Sequence, residues 1–472
     1  MQKAYDVLVV GAGPAGIFTA LELDRLAPEM RVLVVDSGSA IADRRCPART
    51  GNGCVHCKTC SIMNGWAGAG AFSDGKLSLC TDVGGNLVSY MAPEKAQELI
   101  RYCDEIYLKF GAPDKVFGQN TRAADQIAYE ARRNNIQLIR CPVRHMGTEY
   151  SYQVLKAMYD YLAGRPQFAF WPHTTAEHIL VEDGRAAGVQ LRLADGTEQH
   201  VQAGRIVVAP GRGGAAWLSR IAKEIGLACA NNEVDIGVRV EVPNSVMDHL
   251  TKNLYEAKLV YYSDTFENKV RTFCMNPGGI VSEEHYDGPD GGLAVVNGHS
   301  YAEDDRHSEN TNFAMLVSTR FTEPFRQPIE YGRSIAKLGN MLTGGGIMVQ
   351  RLGDLLLGRR SDESRMLRST TVPTLSTAVP GDLSFVLPHR HLTSIVEALQ
   401  AFDKIAPGLY SKNTLLYGVE VKFYSSKMDV QPDFATAIPG LYAIGDGAGI
   451  TRGLMQASAT GVVVARSIAA VR

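Results

Sequence analysis

Four cysteines stand close together near the start of the sequence, with the spacing C-x7-C-x2-C-x2-C. Four thiolates within 15 residues can enclose a tetrahedral zinc ion. The C-x2-C-x2-C run also matches part of a ligand spacing that holds iron–sulfur clusters. Metal-free thiols, which could form a redox-active disulfide, are a third interpretation, and the spacing leaves all three open. The candidate metal ligands are Cys46, Cys54, Cys57 and Cys60.

A second group of residues could move protons or stabilise charge. His145 lies in a polar turn after a short predicted strand, and His299 and Tyr301 stand together in the run Asn-Gly-His-Ser-Tyr. Imidazole and phenol groups can act as general acids or bases, and an ammonium group can stabilise a developing anion. The candidate catalytic residues are therefore His299, Tyr301, His145 and Lys76.

Glycines near the N-terminus form a G-x-G-x-x-G turn in the setting that gives this motif meaning. A β-rich run ends at Val10, a predicted helix runs from Ile17 to Leu26, and a second strand ends at Asp36. The first glycine permits a tight turn, the second lets the backbone approach a pyrophosphate, and the third lets the helix lie close to the strand. This order predicts a dinucleotide site whose members are Gly11, Gly13, Pro14, Ala15, Gly16, Asp36 and Ser37.

The other end of the sequence indicates which dinucleotide binds. The run Gly440–Asp446 is a predicted strand closing on Gly-Asp, and a small-residue helix is predicted from Leu454 to Ala469. This arrangement resembles glutathione-reductase-like flavoproteins, in which the acid lies near the ribityl and pyrophosphate groups and the helix points at the flavin. The resemblance implies FAD, bound by Gly211, Gly445, Asp446, Gly453 and Leu454. No second G-x-G-x-x-G follows a strand, so any NAD(P)H would bind without a Rossmann domain of its own.

A stretch of small residues follows the cysteine segment. In this type of fold, the loop at that point runs along the isoalloxazine ring, and small residues let its backbone approach. Lys76 follows it and could stabilise a reduced, anionic flavin. The residues expected to line the ring are Gly68, Ala69, Gly70, Ala71, Phe72 and Ser73.

Motifs across nearly the whole chain resemble the uncharacterised FAD-dependent dehydrogenases, within the NAD(P)/FAD-dependent oxidoreductases. These motifs lie at residues 69–77, 274–279, 296–298, 310–314, 349–354, 358–361 and 451–454. The resemblance implies FAD and redox chemistry without naming a substrate. The chain departs from the pattern at His299, where an apolar residue is expected.

The expected fold class is α/β, with a Rossmann-like FAD-binding domain of three layers (β/β/α) and an inserted mixed α+β substrate domain. Residues 1–234 and 416–472 form the discontinuous FAD-binding domain in this prediction, with a Cys-rich insertion at 46–60. Residues 235–415 form the inserted substrate or cap domain. A β-meander over residues 173–208 returns the chain to the first sheet.

Composition limits the partners. Lys and Arg total 48 against 50 Asp and Glu, so the basic excess of a nucleic-acid binder is absent. No apolar run reaches the roughly 18–20 residues of a membrane span. The first residues lack the features of a secretory signal, so we expect a cytoplasmic protein that binds neither nucleic acid nor membrane.

These observations favour a dehydrogenase or reductase that transfers hydride between flavin N5 and a small or medium organic substrate. NAD(P)H or a protein could supply electrons. Alternatives are an electron-transfer flavoprotein that uses a Cys-ligated cluster, a flavin monooxygenase, and a non-catalytic FAD-binding redox sensor.

Overall fold

The chain divides into two compact units in a computed structural model. The first unit contains residues 1–115, 144–232 and 424–472, and the second contains residues 116–143 and 233–423. The structure describes residues 4–47, 55, 57–119, 121–230, 233–286, 292–301, 307–319, 321–322, 325, 327–422 and 427–470.

The described residues form both strands and helices. The strands are β1 (Ala4–Val10), β2 (Val32–Val35), β3 (Lys76–Ser78), β4 (Val116–Phe117), β5 (Gln137–Ile139), β6 (Val143–His145), β7 (Phe168–Trp171), β8 (Thr175–Glu182), β9 (Arg185–Arg192), β10 (Glu198–Val208), β11 (Cys229–Ala230), β12 (Val234–Pro243), β13 (Lys258–Tyr262), β14 (Lys269–Asn276), β15 (Ile280–Tyr286), β16 (Leu293–His299), β17 (Asn310–Thr319), β18 (Met348–Arg351), β19 (Val379–Pro380), β20 (Leu415–Lys422), β21 (Lys427–Met428) and β22 (Leu441–Ala443). The helices are α1 (Pro14–Leu26), α2 (Pro93–Lys109), α3 (Arg122–Arg133), α4 (Gly147–Ala163), α5 (Ala215–Glu224), α6 (Asn244–Leu254), α7 (Pro328–Thr343), α8 (Leu352–Leu356), α9 (Glu363–Leu367), α10 (His389–Asp403) and α11 (Leu454–Ala470). In the described part of the chain, none of these helices has both the length and the apolar character needed to cross a bilayer.

The first unit is built on a seven-stranded sheet. Its order is β7-β2-β1-β10-β9-β8, and β22 pairs with β10. The five strands β7, β2, β1, β10 and β22 run parallel. Strand β9 pairs antiparallel with β10 on one side and with β8 on the other, which completes the predicted meander. Val7–Val10 and Val32–Val35 are buried throughout, as expected for parallel strands covered on both faces. The predicted α/β, Rossmann-like fold class is confirmed.

Helices α1 and α11 pack closely against each other because small residues face the contact. A Cβ atom added at Gly461 would lie 2.2 Å from the carbonyl oxygen of Ala15 and 2.8 Å from the nitrogen of Thr19. A larger residue at Gly461 would push the two helices apart. This contact joins the two ends of the sequence in one unit, as the discontinuous motifs suggested.

The second unit is built on an eight-stranded sheet with two chemically different faces. Its order is β19-β18-β20-β12-β17-β14-β13-β5. Along β12, four apolar residues enter a core that includes residues of α6 and α10; these are Ile236, Val238, Val240 and Val242. The alternating residues Asp235, Arg239 and Glu241 belong to the other face and are also buried. A buried polar sheet face of this kind must satisfy its charges internally.

Apart from residues 233–234, the compact units differ from the predicted domain boundaries at two places. Residues 116–143 lie in the second unit, because β5 pairs with β13. Residues 416–423 also lie there, because β20 pairs with β12 in the middle of the second sheet. The local sequence of α3 and β5 does not say which unit they belong to.

His391 on α10 supplies a pH-dependent contribution to stability. Its side chain is buried, its Nε2 lies 3.0 Å from Thr319 Oγ1, and its Nδ1 has no hydrogen-bond partner among the described residues. Burial, with a smaller contribution from the neighbouring charge of Arg390, lowers the pKa of His391 from 6.5 to about 4. As the pH falls, His391 therefore takes up a proton at a higher pH in the unfolded chain than in the folded protein.

We expect the wild-type protein to lose about 2–3 kcal/mol of stability through His391 as the pH falls from 6.5 to 4. This contribution is fully present above pH 6.5. Urea denaturation at several pH values will measure it, and His391→Gln should flatten this part of the profile. His389→Gln, at an exposed position of the same helix, is the control and should leave the profile unchanged. Equal pH slopes for wild type and His391→Gln would contradict this assignment.

Candidate cofactor site

Three turns of the first unit meet where parallel strands end. The nitrogen of Ala209, after β10, donates to the carbonyl of Val10 at the end of β1. A Cβ atom at Gly11 would lie 2.1 Å from the carbonyl oxygen of Ala209, and one at Gly447 would lie 2.5 Å from that of Gly211. The carboxyl edge of an open parallel sheet is where such folds bind ligands. The predicted cofactor segments therefore lie at one edge of one sheet.

The three glycines of the first turn have different surroundings. Gly11 has a φ of 106°, which strongly favours glycine. A Cβ atom at Gly16 would lie 2.1 Å from the carbonyl oxygen of Gly11, so only glycine lets α1 approach the turn. A Cβ atom at Gly13 would meet nothing within 4 Å. Gly13 thus borders open space, where a ligand backbone could approach.

Helix α1 begins beside that open space. Pro14 occupies its first turn, and no side chain caps the helix N-terminus at Gly13. Free N–H groups and the helix dipole favour an anion at such a position. The cradle and the uncapped helix end suit the pyrophosphate of a dinucleotide. The residues present therefore fit FAD.

Asp36 has a structural role that the sequence analysis did not predict. Its carboxylate accepts hydrogen bonds from the backbone nitrogens of Ala12 at 3.0 Å, Gly38 at 2.8 Å and Gly65 at 2.6 Å. The acid thereby ties the glycine turn to the loop that begins at Gly65. Cofactor binding by Asp36 and by the adjacent Ser37 stays a prediction.

The small-residue loop lies against both other parts of the site. Residues Gly68–Phe72 form a short 3-10 helix. The nitrogen of Ala67 donates to the carbonyl of Ala12 at 2.7 Å. A Cβ atom at Gly70 would lie 2.9 Å from Leu454 Cδ2, at the start of α11. The loop is therefore packed between the glycine turn and the N-terminus of α11.

A segment that the sequence analysis missed holds the start of α11. The buried side chain of Gln456 donates to the carbonyls of Thr81 and Val83 and accepts from the nitrogen of Leu87. The nitrogen of Arg452 donates to the carbonyl of Gly84 at 2.8 Å. Gly84 and Gly85 were the available signal, because paired glycines mark a close approach of backbone.

The Gly-Asp turn also has internal support. Asp446 Oδ1 accepts a hydrogen bond from Thr451 Oγ1 at 2.6 Å. Gly445 has a φ of 75°, and a Cβ atom there would lie 3.2 Å from that of Ala15. The predicted cofactor residues around Gly445, Gly453 and Leu454 therefore adjoin the glycine turn and the segment at Gly84.

The candidate catalytic residues are divided between the two units. Lys76 is largely buried and pairs with Asp74 at 2.9 Å, while Ser73 accepts from the nitrogen of Gly75 in a local turn. His145 is buried at the end of β6 in the first unit. His299 ends β16, and both it and Tyr301 belong to the second unit.

Three of the four clustered cysteines lie in the described part of the chain. Cys46, Cys57 and Cys60 are partly buried free thiols. Cys54 lies outside the described residues. Within the described ranges, no three His, Cys, Asp or Glu side chains are placed to hold a metal ion. A metal at these cysteines stays a prediction.

The first unit is that of a flavoprotein, with a glycine turn, an acid after β2, and a helix N-terminus converging at one sheet edge. Comparison with known families agrees. Residues 87–233 match the family described as "FAD binding domain". Residues 233–423 match the family described as "FAD-dependent protein, C-terminal domain-like". These two matches identify an FAD-dependent protein, and FAD is its cofactor.

The individual proteins that the chain resembles share little sequence identity with it. A protein of Clostridium beijerinckii described as uncharacterised is 26% identical over 487 residues, which cover 98% of this chain and 80% of that protein. Among solved structures, formate oxidase of Aspergillus oryzae aligns over 100% of this chain and 99% of its own, with 12% identity and a TM-score of 0.45. Quinol fumarate reductase FrdA of E. coli aligns over 100% and 71%, with 13% identity and a TM-score of 0.41.

Proposed function

We propose that this protein transfers a hydride between flavin N5 and a small or medium organic substrate. The observation that carries the proposal is the convergence of the glycine turn, the small-residue loop and the start of α11 in one unit. When bound, FAD supplies two-electron chemistry, and the protein supplies orientation and proton transfer. In this proposal, Gly13 and α1 hold the pyrophosphate and the backbone of Gly68–Phe72 lies along the ring.

Two protein groups of the second unit are proposed to handle the substrate proton. His299 and Tyr301 stand two residues apart at the end of β16, and Tyr301 is partly buried. An imidazole can accept a proton that leaves as the hydride transfers, and a phenol can donate one in the reverse direction. In the first unit, His145 is the alternative candidate for proton transfer, and Lys76 is the candidate for stabilising charge at the flavin.

The test begins with an anaerobic visible spectrum of the purified protein. We expect a two-band flavin spectrum that bleaches on addition of NADH, NADPH or a member of a panel of alcohols, amines and hydroxy acids. Rapid mixing then measures the rate of flavin bleaching. Replacing the active proton donor or acceptor should slow bleaching by about 10²–10⁴-fold. His299→Gln, Tyr301→Phe, His145→Gln and Lys76→Met are the test variants.

Tyr262→Phe is the matched control, because Tyr262 is an exposed tyrosine of the same unit as Tyr301. If none of the four variants slows bleaching more than threefold, the proposed proton-transfer residues are wrong. If only one-electron donors bleach the flavin, and iron and sulfide copurify with the protein, electron transfer replaces hydride transfer as the function.

A further inference from the structure

Arg44 stands just before the cysteine segment, and it is buried in the first unit. Within the described residues, its side chain donates five hydrogen bonds to four backbone carbonyls. Nη1 donates to Trp66 at 2.6 Å and Gly68 at 2.8 Å, while Nη2 donates to Ser61 and Ile62, each at 2.8 Å. Nε donates to Ser61 at 3.0 Å. One guanidinium group therefore gathers the carbonyls of a segment that spans residues 61–68.

The rest of the Arg44 side chain contacts the same loop. Its Cζ lies 4.7 Å from the centre of the Phe72 ring, a cation–π distance. A Cβ atom at Gly65 would lie 3.1 Å from Arg44 Cδ, so the aliphatic part packs on a glycine backbone. Contacts at Ser61, Gly65, Gly68 and Phe72 thus hold the loop along most of its length.

The Gly68–Phe72 loop connects the Arg44 contacts to the glycine turn and to the start of α11. Gly68 approaches Gly13, where a Cβ atom on Gly68 would lie 3.4 Å from the Gly13 Cα, and Gly70 approaches Leu454. A shift of the Arg44-bound carbonyls would therefore move the loop relative to the glycine turn and the start of α11. We propose that Arg44 is a positioning residue that sets the Gly68–Phe72 loop on the flavin ring, and thereby sets the affinity and redox potential of bound FAD. The inference rests on the placement of the ring beside this loop in the proposed function.

Only a guanidinium group matches this set of acceptors. It presents five N–H groups in a rigid planar fork, whereas an ammonium group has three donors around a point. Lysine at position 44 can therefore reach some of the carbonyls while leaving others unpaired. We therefore expect the affinity for FAD to decrease from arginine to lysine to alanine at position 44.

The experiment compares Arg44→Ala and Arg44→Lys with wild type. Apoprotein is titrated with FAD, and the potential of the reloaded protein is measured by spectroelectrochemistry. Because charge-assisted bonds that order the loop are lost, the FAD dissociation constant of Arg44→Ala should rise about 10- to 100-fold. Arg44→Lys should be intermediate, and the potential of both variants should shift. Millimolar guanidinium chloride should partly restore FAD binding by Arg44→Ala.

Arg144→Ala is the control, because Arg144 is a buried arginine of the same unit that binds Asp104 and the carbonyl of Pro113 instead. It should lower thermal stability without changing the potential, and guanidinium should not affect its FAD binding. If wild type binds no FAD, the proposed cofactor placement fails. If wild type binds FAD, and Arg44→Ala has a dissociation constant within threefold of wild type and an unchanged redox potential, the proposed role of Arg44 is wrong. The proposed cofactor placement would still stand in that case. Should Arg44→Ala be insoluble, the same criterion applied to Arg44→Lys decides.

Discussion

Gly13→Val will give a folded protein that purifies without FAD. A Cβ atom at Gly13 meets no atom of the described residues within 4 Å, so we expect the substitution to leave the packing of the described part of the unit intact. The side chain instead projects into the space beside the N-terminus of α1, where the pyrophosphate is proposed to bind. Close backbone approach is the reason for glycine at this position of the motif. We expect the FAD dissociation constant to rise at least about 100-fold, or about 2.8 kcal/mol.

The measurement is the ratio of flavin to protein absorbance after purification, followed by FAD titration and circular dichroism of the apoprotein. Gly204→Val is the matched control, because Gly204 on β10 also has nothing within 4 Å of its added Cβ atom and lies in the same unit. That variant should keep its flavin. Full flavin occupancy in Gly13→Val would show that the pyrophosphate does not lie at this turn.

Glu420→Gln will destabilise the second unit by about 3–5 kcal/mol, because it leaves buried positive charge without its partner. Arg239 Nη1 lies 3.2 Å from the Glu420 carboxylate, and neither side chain is exposed. Lys422 Nζ lies 2.8 Å from the other oxygen of the Glu420 carboxylate, and the Lys422 side chain is also largely buried. Burial is the largest single influence and by itself would lower the pKa of Arg239, but attraction and hydrogen bonding to Glu420 and Cys274 together raise it. Arg239 therefore remains charged.

The shift in the urea midpoint of the second unit's transition measures this effect. Lys252→Met is the control, since Lys252 pairs with Asp248 on the surface of α6 and its side chain is 73% exposed. Loss of such an exposed pair should cost less than about 0.5 kcal/mol. A Glu420→Gln variant as stable as Lys252→Met would mean that neighbouring groups already neutralise the buried cations.

Much of the first unit could be predicted from the sequence. The runs ending at Val10 and Asp36, the helices α1 and α11, and the meander all occur where periodicity and turn residues placed them. These features are local, because a glycine turn or an apolar run depends on residues that are neighbours in sequence. The cofactor followed from the same local motifs.

The long-range contacts could not be predicted in the same way. Arg44 carried no motif, yet it binds four carbonyls up to 24 positions away. Asp36 was predicted only as a cofactor-binding residue, and the hydrogen bonds that its carboxylate accepts from the backbone nitrogens of Ala12, Gly38 and Gly65 were not predicted. Sequence spacing does not encode which loop folds back onto a side chain.

The sequence by itself determined the class of this protein: a glycine turn between strand and helix, an acid after the next strand, and a closing Gly-Asp motif. Each motif requires particular residue types at fixed local spacing. Few residues other than glycine can adopt the required backbone conformation or let the backbone come close to a phosphate. Only the tertiary structure decided that β5 and β20 join the second sheet and that Arg44 and Gln456 hold the site's loops. Those outcomes depend on contacts between distant segments, which form only when the whole chain packs.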